Sequence, residues 1–134
     1  MNTPRLILVP AASALAVGIV TVSGCSTAPS PDIVKSYATF DEAQEISSRL
    51  PGLFPTDATN IKLVARASGK GAVLKFDSSF GITAAYCRAG TLDGTPTELE
   101  VDWWPDSVPT EGYDCSRWMV FEADGSYYAW DTAD

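Results

Sequence analysis

Residues 117–131, Arg-Trp-Met-Val-Phe-Glu-Ala-Asp-Gly-Ser-Tyr-Tyr-Ala-Trp-Asp, contain the clearest fold signal in this chain. Asp124 and Gly125 are the dipeptide that two-residue β-hairpin turns favour, because both central positions of such a turn need a positive φ. This turn pairs Phe121 with Tyr128 and Met119 with Trp130. The opposite face is also apolar and consists of Trp118, Val120, Tyr127 and Ala129. A hairpin that is apolar on both faces is typical of central strands or of strands with a binding surface.

A second hairpin is predicted between residues 61 and 76, where two segments flank residues 68–71, Ser-Gly-Lys-Gly. A two-residue turn at Gly69 and Lys70 places Ala65 opposite Leu74. The same register pairs Leu63 with Phe76 and Lys62 with Asp77. One face then carries Ile61, Leu63, Ala65, Leu74 and Phe76, and the other carries Lys62, Arg66 and Lys75. Hydrophobic pattern and charge agree with this register.

Two helices are predicted, one before each hairpin. Thr39 and Glu42 have the spacing of a capping box, and apolar residues recur at helical spacing to Leu50, so the first helix is predicted over residues 40–50. The second follows N-cap candidates at residues 77–79, and its apolar stripe is Phe80, Ala84 and Cys87. Residues 98–103 alternate polar and apolar, which predicts a short edge strand.

These elements predict an α+β fold. An antiparallel sheet of about four strands, built from the two hairpins, would carry both helices on one face. The order helix–hairpin–helix–hairpin also has the pattern of an αββ–αββ duplication. Residues 39–134 are long enough for a single globular domain with its own core.

Residues 6–22 are mostly apolar and lead through Val22, Ser23 and Gly24 to Cys25. This segment resembles the lipobox signal of bacterial lipoproteins, although Arg5 is its only basic residue. The resemblance implies a cleaved signal peptide over residues 1–24, a diacylglyceryl group on Cys25, and an extracytoplasmic location on the cell membrane. Two rival interpretations are an uncleaved membrane anchor and an ordinary cleaved signal. Residues 25–38 are predicted to form the lipidated terminus and a flexible tether, with Ser and Pro concentrated at residues 26–31.

The three cysteines divide into Cys25 for the lipid and a predicted disulfide between Cys87 and Cys115. Two reduced, buried thiols are the alternative for this pair. The chain contains no histidine, which excludes the usual Ser-His-Asp and Cys-His catalysis and every zinc site that contains histidine. No cofactor and no metal are therefore expected.

Acidic residues are concentrated in the C-terminal part of the chain. The net charge is −8, and residues 89–134 contain Arg117 as their only basic residue against eleven acids. An acidic chain of this kind is a poor match for nucleic acid. The acidic part is interpreted as a solvated face, with a surface for a basic partner or divalent cations as the alternative.

The candidate binding residues are aromatic: Trp103, Trp104, Trp118 and Tyr127. An exposed Trp can anchor a protein contact or stack on a sugar, whereas the alternative for the Trp103–Trp104 pair is burial in the core. Carboxylates that could form a catalytic pair are Glu98, Glu100, Asp102 and Asp106. The sequence therefore indicates a membrane-anchored, non-catalytic binding module with a protein partner, inhibitory or protective in the manner of immunity or phage-exclusion proteins. The alternatives are a small cell-envelope hydrolase and a structural component of an envelope complex.

Overall fold

Seven strands and one short helix make up the part of the chain described by the computed structural model, residues 32–46, 52–96, 98–99 and 101–132. The elements in chain order are β1 Ile33–Thr39, α1 Phe40–Ile46, β2 Thr59–Ala65, β3 Ala72–Asp77, β4 Arg88–Thr91, β5 Glu111–Cys115, β6 Trp118–Ala123 and β7 Ser126–Asp131. All seven strands form one antiparallel sheet in the order β1-β2-β3-β7-β6-β5-β4. The sheet consists of two meanders that join where β3 pairs with β7.

The hairpin of β6 and β7 has the predicted turn and register. Phe121 lies opposite Tyr128, and Met119 lies opposite Trp130. Asp124 and Gly125 both have positive φ, as the tight turn requires. Strand β7 is the middle strand of the sheet, which explains why the hairpin is apolar on both faces.

The prediction of an α+β fold with four strands, two helices and an αββ–αββ order is wrong, because the domain is nearly all β. The predicted second helix does not form. The Ser78 hydroxyl accepts hydrogen bonds from the backbone N–H groups of Phe80 and Gly81, as an N-cap would. Gly81 then adopts a φ of 73°, which ends the turn before a helix can begin. Phe80, the first residue of the predicted apolar stripe, is 66% exposed.

Asp57 holds this turn from the neighbouring loop. Its carboxylate accepts hydrogen bonds from the Ser78 hydroxyl and from the backbone N–H groups of Ser79 and Phe80. Burial alone raises the pKa of Asp57, but these hydrogen bonds outweigh burial and leave the pKa below its ordinary value. The backbone N–H groups of this turn thus find hydrogen-bond acceptors without forming a helix.

The hairpin of β2 and β3 forms, but its predicted register is wrong by two residues. Leu63 lies opposite Leu74, and Ala65 lies opposite Ala72. Six residues connect the strands instead of two, and both Gly69 and Gly71 have positive φ. Because side chains alternate along a strand, a shift of two leaves every side chain on its predicted face.

The helix α1 begins as the capping box predicts. The backbone N–H of Glu42 donates to Oγ1 of Thr39 at 3.3 Å, and Oε2 of Glu42 accepts from the backbone N–H of Ala38 at 2.8 Å. The helix ends at Ile46, and residues 47–50 of the predicted helix lie outside the described residues. The strand β1 before it occupies residues 33–39, most of which were predicted as tether. Residues 26–31 are also outside the described part of the chain.

Both faces of the sheet carry a hydrophobic core. On the first face, α1 and residues 53–58 pack on β2, β3 and β7 through Ala43, Leu53, Phe54, Ile61, Leu74 and Phe76. On the second face, the core contains Val73, Met119, Phe121, Tyr128 and Trp130. The side chains that pack on it from the long segment between β4 and β5 are Leu92, Leu99, Val101, Trp103, Trp104 and Val108. The edge strand predicted at residues 98–103 is wrong, because the described residues of this segment, 98–99 and 101–103, form no strand and pack on the second face through Leu99, Val101 and Trp103.

The predicted disulfide between Cys87 and Cys115 is confirmed. Cys115 ends β5 and Cys87 directly precedes β4, in line with the register that places Arg88 opposite Asp114. The bond therefore does not join the two meanders of the sheet. The bond instead staples the edge strand β4 to its neighbour.

Candidate functional site

A groove of about 800 Å³ lies on the first face, at one end of the sheet. Its lining comes from β1, β2, β3, β6 and β7 and from the loop between β2 and β3. None of these lining residues belongs to α1 or to residues 53–58, which pack on the neighbouring part of this face. The groove is therefore the part of the first face that the described cover does not reach.

The shape of the groove follows from one row of side chains across five strands. The register places Ile33 beside Ala65 and Ala65 beside Ala72. The row continues through Asp131 of β7 to Trp118 of β6. Two alanines in the middle of the row are too small to fill the space between their larger neighbours, so the floor is lowest there. Ile33 and Trp118 form its two walls.

The carboxylate of Asp131 lies in the groove and is paired with Arg117. The Arg117 Nε–H donates to Oδ1 of Asp131 at 2.7 Å, and the Nη2 group donates to Oδ2. The Asp131 side chain is 3% exposed and the Arg117 side chain is 58% exposed. The hydrogen bonds to Asp131, and then its charge, raise the pKa of Arg117 above its ordinary value. A two-pronged contact of this kind orients the guanidinium, so it holds Arg117 at the rim.

The groove is positively charged although the chain is acidic. The side chains of its described lining that lie on the groove side include two cations, Lys35 and Arg117, and the single carboxylate of Asp131. The Arg66 guanidinium lies toward the second face, where its Nη2 group donates to the backbone carbonyl of Glu98 at 2.7 Å. Lys35 lies opposite Leu63 and thus on the groove side of β1. The apolar floor combined with this rim suits a ligand that has both apolar and acidic groups.

The four aromatic residues predicted as a binding site do not form one patch. Trp103 and Trp104 are half-buried on the second face, where the Trp104 ring meets Phe121 edge-on at 5.6 Å between centroids. On the first face, Tyr127 stacks on Phe76 at 5.4 Å. Of the four, Trp118 lines the groove.

The remaining site predictions concern acids and Cys25. Glu98, Asp102 and Asp106 lie on the loop that covers the second face, away from the groove, and Glu100 and Cys25 are outside the described residues. Within the described ranges, no three cysteine or acidic side chains converge in a way that could hold a metal ion. No helix in those ranges is long and apolar enough to span a bilayer.

Sequence reasoning missed most of the groove. Ile33 and Lys35 were assigned to the tether, and Arg117 and Asp131 were read only as the ends of a hairpin. The alternate spacing of Ile33 and Lys35 was visible in the sequence, and so was the position of Arg117 and Asp131 at the two ends of the hairpin. The order of the strands was not, and it is this order that brings β1 and β6 to two sides of one groove.

The whole chain matches no protein-family model, no curated protein and no solved structure.

Proposed function

We propose that this chain is an extracytoplasmic lipoprotein, anchored to the cell membrane through Cys25, whose β domain binds a protein partner in the groove on the first face. The groove is the observation that carries the proposal. Among the described residues, none lies over its apolar floor, whereas α1 and residues 53–58 pack on the neighbouring part of the same face. Exposed apolar surface with a polar rim is typical of interaction sites.

The charges of the groove favour binding over hydrolysis. A glycosidase needs two facing carboxyl groups about 5–9.5 Å apart. The described lining has one, on Asp131, and both of its oxygens are bound by Arg117. With no histidine in the chain, the groove also lacks the usual general base for nucleophilic catalysis. A binding role of this kind fits an inhibitory or protective protein at the membrane surface.

Site-directed photocrosslinking in intact cells tests the proposal. A photoreactive residue would replace Ile33 in one variant and Trp118 in another, since these form the two walls of the groove. The matched control is Phe80, which is well exposed and outside the groove lining. We expect both groove positions to capture the same protein and the control to miss it. Capture of no common protein, or equal capture from Phe80, would overturn the proposal.

A further inference from the structure

The two edges of the sheet are built differently. Strand β4 has four residues and is stapled at one end by the disulfide between Cys87 and Cys115. Strand β1 has seven residues, and within the described part of the chain it pairs only with β2. Ile33 is 47% exposed and Val34 is 67% exposed. Proteins usually protect a long, apolar edge of this kind, because its unpaired backbone groups can accept another strand.

The groove opens onto this same edge. Ile33, Lys35 and Tyr37 alternate along β1 and all line the groove. A strand added beside β1 would therefore place every second side chain above the groove. Recognition by strand addition works in this way, with backbone hydrogen bonds supplying affinity and alternate side chains supplying specificity.

The positive charge of Lys35 on β1 favours a strand from another protein over a second copy of this chain. Pairing two copies of β1 antiparallel about their centre would bring both Lys35 side chains onto one face as close neighbours, which is unfavourable. Two copies of a chain with a net charge of −8 also repel each other. A foreign strand with an acidic residue opposite Lys35 brings unlike charges together instead, and Arg117 adds to the attraction.

We propose that the free edge of β1 accepts, as an eighth strand, an extended segment of a partner protein with an acidic residue between two apolar residues at alternate positions. This inference rests on the proposed function and specifies how the partner binds. The acidic side chain would lie beside Lys35. The flanking apolar side chains would contact the groove near Ile33 and Tyr37.

Fluorescence anisotropy with a labelled synthetic peptide tests the charge preference. The peptide Ser-Val-Thr-Glu-Thr-Val-Ser would be compared with the same peptide carrying Lys in place of Glu, using the full chain in detergent. We expect the acidic peptide to bind at least about fivefold more tightly, since opposed charges attract and like charges repel across a strand pair. Lys35→Glu should reverse this order. The control Lys62→Glu, an exposed charge on β2 opposite Ser36, should keep it.

Backbone methylation of the acidic peptide tests strand addition itself. One version would carry N-methyl groups on both Val residues and the other on both Thr residues. Only one of these two sets of N–H groups can face β1 in an added strand. We therefore expect one version to lose at least about tenfold in affinity and the other to bind nearly as well as the parent peptide.

Equal affinity of the two methylated peptides, or no binding of the acidic peptide, would overturn strand addition. The proposed function fails separately, because it requires capture of a common partner from Ile33 and Trp118 whatever the binding geometry. Capture of a partner combined with insensitivity to methylation would keep the groove as the binding site and reject the eighth strand.

Discussion

Gly112 shows how a single missing side chain shapes the sheet. A Cβ atom at this position of β5 would lie 2.3 Å from the backbone oxygen of Val120 and 2.8 Å from a methyl carbon of Leu92. We expect Gly112→Ala to lower the free energy of unfolding by about 1–3 kcal/mol, because backbone must move to admit the methyl group. Denaturant unfolding measures this change.

Gly90 provides the matched control, since it lies directly opposite Gly112 on β4. A Cβ atom there would meet nothing within 4 Å. Gly90→Ala should therefore change the free energy of unfolding by about 0.5 kcal/mol or less. An equal loss in both variants would contradict the packing argument.

Asp77 links three strands and should make stability depend on pH. Its carboxylate accepts hydrogen bonds from Ser126 Oγ at 2.6 Å and Asn60 Nδ2 at 2.8 Å. Burial alone raises the pKa of Asp77, but these bonds and the nearby positive charges of Lys75 and Lys62 lower it below the ordinary value of 3.8. The stability from this group is therefore present above pH 3.8 and is lost as the pH falls through the lower, folded-state pKa.

We expect Asp77→Asn to be less stable than the parent near neutral pH, and the difference to shrink as the pH falls below 3.8 toward the lower, folded-state pKa. Thermal unfolding at several pH values measures this convergence. Asp106→Asn, which changes an exposed carboxylate, serves as the control. A difference that stays constant with pH would show that ionisation of Asp77 contributes nothing.

At the scale of elements, sequence reasoning succeeded where local chemistry decides and failed where strand order decides. The two-residue turn at Asp124 and Gly125 sets the register of β6 and β7, and the capping box sets the start of α1. The second helix failed because Gly81 takes a positive φ. Strands β1 and β4 were missed because each pairs with a strand that is distant in sequence, as the pairing of Gly90 with Gly112 illustrates. Strand β5 was missed although β6 follows it after two residues, because Ser116 takes a positive φ in that turn without being Gly or Asn.

The disulfide between Cys87 and Cys115 holds the edge strand β4 against β5. It closes a loop across a sequence separation of 28 residues. In the chain-entropy model, we expect the double variant Cys87→Ala and Cys115→Ala to lose about 3–4 kcal/mol in the free energy of unfolding. Hydrogen exchange resolved by peptide should show the largest increase at β4. An increase in exchange that is spread evenly over the sheet would contradict a local role of the disulfide at β4.

At the scale of the whole molecule, the proposed anchor at Cys25 would hold the proposed binding surface next to a membrane. Cys25→Ala should abolish acylation and release the protein from membranes or leave it unprocessed, because two acyl chains on one residue supply stable attachment. Fractionation and the mass of the mature protein measure this. Ser30→Ala, a neighbouring change in the predicted tether, should leave both unchanged. An unchanged mass and membrane fraction for Cys25→Ala would reject lipidation.

The central claim is that the β1 edge and its groove are occupied by a partner in the cell. Amide hydrogen exchange measured by mass spectrometry tests it directly, by comparing the protein in native membranes with the purified chain in detergent. Backbone N–H groups that gain a strand partner exchange more slowly. We predict slower exchange in native membranes for β1, residues 33–39, and no change for β4. Equal exchange of β1 in both samples, or slowing at β4 instead, would contradict the account.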